Sequence, residues 1–140
     1  MKFQCNDGGR AKAGYKGKAG DCVTRSIAII TGLPYQQVYD SMNEGTQTQH
    51  KQKGCGARQG ISTSSPWFDR YMEGLGFRWV ATMKVGSGCK VHLRDGELPM
   101  GRLVIRCSRH LTAVIDGVIH DTYDPSRDGT RCVYGYWILP

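Results

Sequence analysis

The chain has no apolar run approaching the roughly 18 residues of a membrane span, so a membrane partner is not expected. Its opening residues, Met-Lys-Phe-Gln-Cys-Asn-Asp-Gly-Gly, hold no apolar core segment of the secretory type. The expectation is therefore a protein kept in the cytoplasm. No two cysteines form a Cys-x-x-Cys pair, and no glycine motif for phosphate binding follows a strand, so no cofactor is expected. Neither an internal repeat nor a low-complexity tract is present. Aromatic residues are sparse in the basic stretches, with only Tyr15 there, which argues against a stacking platform for single-stranded nucleic acid.

What is present fits one domain spanning residues 1–140, long enough to bury a core unaided. The charge is +7, from 19 Lys+Arg against 12 Asp+Glu, and much of the excess lies in residues 10–18 and 51–58. Solvated basic loops are the simplest reading, and an acidic protein surface or nucleic acid is the alternative partner. Six cysteines stand at Cys5, Cys22, Cys55, Cys89, Cys107 and Cys132. Without a secretory signal they are expected to be free thiols.

Residues 1–20 are polar, basic and glycine-rich, and read as an irregular arm. At Asp21 the character changes. Asp21 is a good N-cap for an apolar segment closed by Gly32, a mostly buried helix. Pro34 opens a second helix with Tyr35, Val38, Tyr39 and Met42 on one face, and residues 43–63 read as loop. Ser65-Pro66 starts a third helix ending at Gly74 or Gly76. Strands are expected over 77–83, 102–107, 111–115, 118–123 and 133–139, with a short helical turn in 91–98. Asp116-Gly117 is a strong two-residue hairpin signal. Helices first and antiparallel strands afterwards make an α+β layout, N-terminal helices packed on a C-terminal antiparallel sheet.

Cys22 falls at the start of the buried helix, where the macrodipole and free N–H groups favour a thiolate. If Asp116-Gly117 makes a type I′ turn, Ile115 pairs with Val118, Thr112 with Asp121 and His110 with Tyr123. His110 and Asp121 then share a face as diagonal neighbours. A carboxylate so placed holds one ring nitrogen's proton and aims the other nitrogen at a thiol.

Gly20-Asp21-Cys22-Val-Thr-Arg-Ser-Ile-Ala, together with Arg109-His110-Leu-Thr-Ala-Val-Ile-Asp-Gly-Val-Ile-His-Asp121, resembles the papain-like cysteine peptidase superfamily, closest to its small divergent members in bacteria and phages. The resemblance implies a papain-like fold and a Cys22, His110, Asp121 triad working through an acyl-enzyme on a protein or peptide amide. Val23 stands where papain has tryptophan and Lys16 where it has glutamine, so the oxyanion donor falls to Asn6 or Gln4 in the arm.

Two other functions fit parts of the sequence. Cys89-x-x-His92 and Cys107-x-x-His110 supply four zinc ligands, which describes a small zinc- or nucleic-acid-binding module. Against it, a spacing of three along a strand puts Cys107 and His110 on opposite faces. A catalytically inactive papain-like module is the other, using Trp67, Phe68, Tyr71 and Trp137 as contact surface.

Overall fold

A computed structural model describes residues 1–16, 20–47, 62–84 and 86–140. Its elements run β1 (Lys2–Cys5), α1 (Cys22–Thr31), α2 (Tyr35–Gln47), α3 (Pro66–Gly74), β2 (Arg78–Ala81), β3 (Arg102–Cys107), β4 (His110–Ile115), β5 (Val118–Asp121) and β6 (Gly135–Leu139). The fold is α+β. Among the described residues no helix is long and apolar enough to cross a membrane.

The helices form where sequence and capping agree. In α1 the run Cys-Val-Thr-Arg-Ser-Ile-Ala-Ile-Ile-Thr is buried over most of its circumference. Gly32 ends it at φ 75°, with its N–H on the Ala28 carbonyl at 2.9 Å, a conformation that a side chain would strain. Ser65 caps α3 by accepting from the Phe68 N–H at 3.2 Å, and Pro66 fills the first helical position. The second helix runs on to Gln47, past the loop expected from residue 43. The reason is tertiary. Gly45 lets the Trp67 ring lie against the helix, where a Cβ would stand 2.2 Å from ring carbon Cζ2. The rest of that expected loop, including basic residues 51–58 and Cys55, lies outside the described residues.

One sheet carries all six strands in the order β1-β5-β4-β3-β6-β2. Four of its pairings are antiparallel, but β1 joins β5 in parallel, with Cys5 beside Asp121. The sheet is thus mixed rather than antiparallel, and residues 2–5 are a strand rather than part of an irregular arm. A four-residue edge strand that is exposed throughout needs no apolar alternation, so it left no periodic signal. Residues 91–98 likewise form no helix. His92 bridges Cys132 there instead, and the nearby Cys89 is disulfide-bonded to Cys132, contrary to the expectation of free thiols. Contact between loops 43 residues apart makes that pairing, and local spacing does not reveal it.

Strands β3 and β4 are central and buried on both faces. On one side Val104, Leu111 and Ala113 pack on Ile27 and Ile30 of α1, Met42 of α2, and Phe68 and Met72 of α3. On the other, Leu103, Ile105, Val114 and Ile119 are covered by Leu93 and Val133 from the loops. The turn between β4 and β5 has positive φ at both Asp116 (46°) and Gly117 (79°), as type I′ requires. It sets Ile115 opposite Val118 and Ala113 opposite His120, which is the expected register.

Gly135 tests the packing at the far edge. A Cβ there would lie 2.3 Å from the Trp79 ring and 2.9 Å from the Val80 carbonyl oxygen. The carbonyl belongs to the backbone and cannot swing away. Gly135→Ala is expected to lower stability by about 1–3 kcal/mol in equilibrium denaturation, while the same change at the open Gly74 leaves this packing untouched.

Candidate active site

Cys22 is the first residue of α1, half-buried against the start of β4. Asp21 precedes it at the cap position, but its carboxylate makes no capping hydrogen bond. It is turned instead into a buried cluster. Arg25, one turn along α1, donates to Asp21 Oδ1; Tyr35 Oη donates to Oδ2 at 2.5 Å; and the Arg10 guanidinium lies 3.8 Å from Oδ2. Arg10 also donates to Tyr35 Oη at 3.1 Å and to the Lys16 carbonyl at 3.2 Å. So one of the arginines counted among the basic loops is buried structure and offers no surface charge.

The second carboxylate of the cluster is Asp121 at the end of β5. Its Oδ2 accepts from His110 Nε2 and from Thr112 Oγ1, both at 2.7 Å. Its Oδ1 accepts from the Thr122 N–H at 2.7 Å and from Arg25 Nη2 at 3.1 Å. Burial acts to raise the Asp121 carboxyl, but the donors from His110, Thr112 and Thr122 outweigh it and hold the group below the ordinary carboxylate range. An ionised carboxylate only accepts, so Nε2 carries the proton and Nδ1 is left for the thiol. The hydrogen-bond tautomer is thus fixed from behind the ring. Tyr123 Oη stands 3.4 Å from Nδ1.

Cys22 and His110 share a cavity wall. Burial alone would raise the Cys22 thiol, but a hydrogen bond with His110, the Leu111 N–H at the start of β4, and the charges of His110 and Arg25 lower it below its usual value. Burial acts to lower His110, and the Asp121 and Cys22 hydrogen bonds override it, pushing the imidazole up to about 9. Both shifts favour a thiolate beside an imidazolium. The two buried carboxylates already face two guanidiniums, Arg10 and Arg25, so moving the thiol proton onto His110 adds no net charge to the buried cluster.

Two cavities share Cys22 in their walls. One, of about 280 Å³, is bounded also by Val23, Arg106, Arg109, His110 and Leu111. The other, of about 390 Å³, is bounded by Arg10, Tyr15, Gly20 and Tyr123 among others. Asp21 does not cap α1 with its side chain, and Cys22 stands at the helix N-terminus, where the macrodipole favours negative charge beside the sulfur.

The remaining expected site residues sit elsewhere. Gln4 is exposed on β1, opposite His120. Asn6 accepts the Gly8 N–H at 2.8 Å through Oδ1, and its amide nitrogen faces His120 at 3.4 Å. Neither is among the residues bordering the two cavities at Cys22: residues 2–5 lie along the outer side of β5, and the arm joins the wall of the second cavity only from Asp7 onward. The four zinc candidates are not assembled either. Cys89 is in the disulfide and His92 contacts Glu97 at 3.2 Å. Cys107 and His110 do pair directly across β3 and β4, because the chain turns at Ser108-Arg109 rather than continuing as one strand. Even so, no three His, Cys, Asp or Glu side chains are grouped to hold a metal among the described residues. Burial raises the Cys107 thiol to about 11.

No protein family, curated protein or solved structure matches the chain. Sequence reasoning did not single out Arg25, Tyr35, Thr112 or Arg10. Arg25 carried a readable signal: it is the one charged residue in the α1 segment and lies four residues after Asp21.

Proposed function

We propose that the protein is a papain-like thiol hydrolase acting on amide or isopeptide bonds of proteins or peptides. Cys22 attacks the carbonyl as thiolate. His110 accepts the thiol proton and returns it to the leaving amine, and water then cleaves the acyl-enzyme with His110 as base. Asp121 holds the imidazole tautomer and stabilises its charged form, and the positive end of the α1 dipole stabilises the oxyanion. The single observation that carries the reading is that a buried Asp121, its oxygens taken by His110, Thr112, Thr122 and Arg25, holds the His110 imidazole in the wall of the same cavity as Cys22.

The test is thiol selectivity. With iodoacetamide near pH 6.5, Cys22 is expected to be alkylated at least about tenfold faster than exposed Cys5. Buried Cys107, its thiol raised to about 11, should label slowest. Peptide mapping of the labelled sites reads the order directly. Equal labelling of Cys22 and Cys5 would remove the basis for an enzyme and leave the papain-like binding module in its place.

A further inference from the structure

The two sides of Cys22 differ in charge. On the Tyr123 side the arginines are consumed: Arg10 and Arg25 pair with Asp21, and Arg25 with Asp121 as well. On the His110 side the wall carries Arg106 and Arg109 and no carboxylate. Neither of these arginines is in an ion pair among the described residues. Arg106 is half-buried and also borders a neighbouring cavity with Asp69 and Glu73, without pairing with either. Arg109 is exposed, immediately precedes His110, and closes the β3–β4 turn at φ 55°. That is the left-handed region where glycine is free of strain, so the chain keeps an arginine where its backbone favours glycine.

We propose that this cavity is a carboxylate-selecting subsite, in which Arg106 and Arg109 bind a carboxylate of the substrate next to the scissile amide. The proposal rests on the thiol-hydrolase reading and adds to it a substrate class, acidic peptides. A guanidinium presents a planar pair of donors that matches a carboxylate, and partial burial strengthens the attraction over that in open water. The carboxylate is either an acidic side chain or a chain terminus; both have the same chemistry at the arginines.

Two alkylating agents of equal size separate charge from reactivity. Iodoacetate and iodoacetamide both give up iodide as a carbon–sulfur bond forms with the thiolate, but only iodoacetate is anionic. The ratio of their rates at Cys22, measured at low salt, is expected to fall about 3- to 10-fold in Arg106→Gln and again in Arg109→Gly. Glycine suits the backbone at 109, so that variant keeps the fold while losing the charge. Slowing of iodoacetamide by N-acetylglutamate amide assigns the subsite to acidic side chains, and slowing by N-acetylglycine to a chain terminus. A rate ratio unmoved by either substitution overturns the subsite. The iodoacetamide rate of Cys22 against Cys5 reports separately on the thiol reading, so the two failures are told apart.

Discussion

Replacing His110 with alanine is expected to slow iodoacetamide alkylation of Cys22 at pH 6 by about two orders of magnitude, and amide hydrolysis by about 10²- to 10⁴-fold. The substitution removes the His110 hydrogen bond and charge that lower the thiol, leaving burial, which raises it, opposed only by the Leu111 N–H and the Arg25 charge. A thiol returned to its ordinary range is about one part in a thousand thiolate at pH 6, and the greater intrinsic nucleophilicity of a more basic thiolate recovers only part of that loss. The pH profile distinguishes this from general damage. In the native protein, reactivity rises below the ordinary thiol range, and a second change follows near pH 9, where the imidazolium loses its proton. The variant should show one late rise.

The same shift has a stability consequence of definite sign. The His110 imidazole is raised from 6.5 to about 9 in the folded state, so its contribution is fully present below pH 6.5 and is lost as pH rises through about 9. Asp121 runs the other way. Held below its ordinary value of 3.8, it contributes above that pH and the contribution is lost as pH falls through its folded value. Cys22, lowered below its ordinary 9.0, offsets the His110 loss in the same window. Thermal melts of Cys22→Ser, in which only the His110–Asp121 pairing remains, should therefore decline above pH 6.5 by more than those of wild type.

The hairpin half of the site was legible because it is local. Asp116-Gly117 admits one common turn, the turn fixes the register, and the register sets the His110–Asp121 relation without reference to the rest of the molecule. The start of α1 was legible for the same reason, though for Asp21 the position was read correctly and the job was not. A carboxylate at a helix start suggests a cap, and only the approach of Arg10 and Tyr35 from distant segments turns it inward. Strand β1, the disulfide and the last turn of α2 escaped because each is fixed by a partner far along the chain. The oxyanion expectation at Gln4 and Asn6 supposed an irregular arm, whereas residues 2–5 form a strand on the outer edge of β5.

Arg25 is where the two halves of the site are joined, and Arg25→Met is expected to lower stability by about 3–5 kcal/mol, a fall in melting temperature on the order of 10 °C. Its side chain is only 7% exposed, and it bridges Asp21, beside the nucleophile, to Asp121, behind the base. Methionine fills similar volume but leaves Asp21 with Arg10 and Tyr35 and Asp121 with His110 but no guanidinium, so the cost is that of lost buried charge pairing rather than of a cavity. Acid should reveal the difference. Without the Arg25 charge the buried Asp121 carboxylate is less well stabilised than in wild type, so the gap to wild type narrows as acid protonates it. Loss of packing would give a gap indifferent to pH. Arg25→Lys keeps the charge but, with a single ammonium, cannot fork between two carboxylates, and should fall between wild type and methionine in both stability and Cys22 reactivity. A methionine variant as stable as wild type at pH 7 would mean that the helix and the hairpin are brought together by the apolar face of α1 on β4 alone, with the ionic cluster an accompaniment to that contact and not its cause.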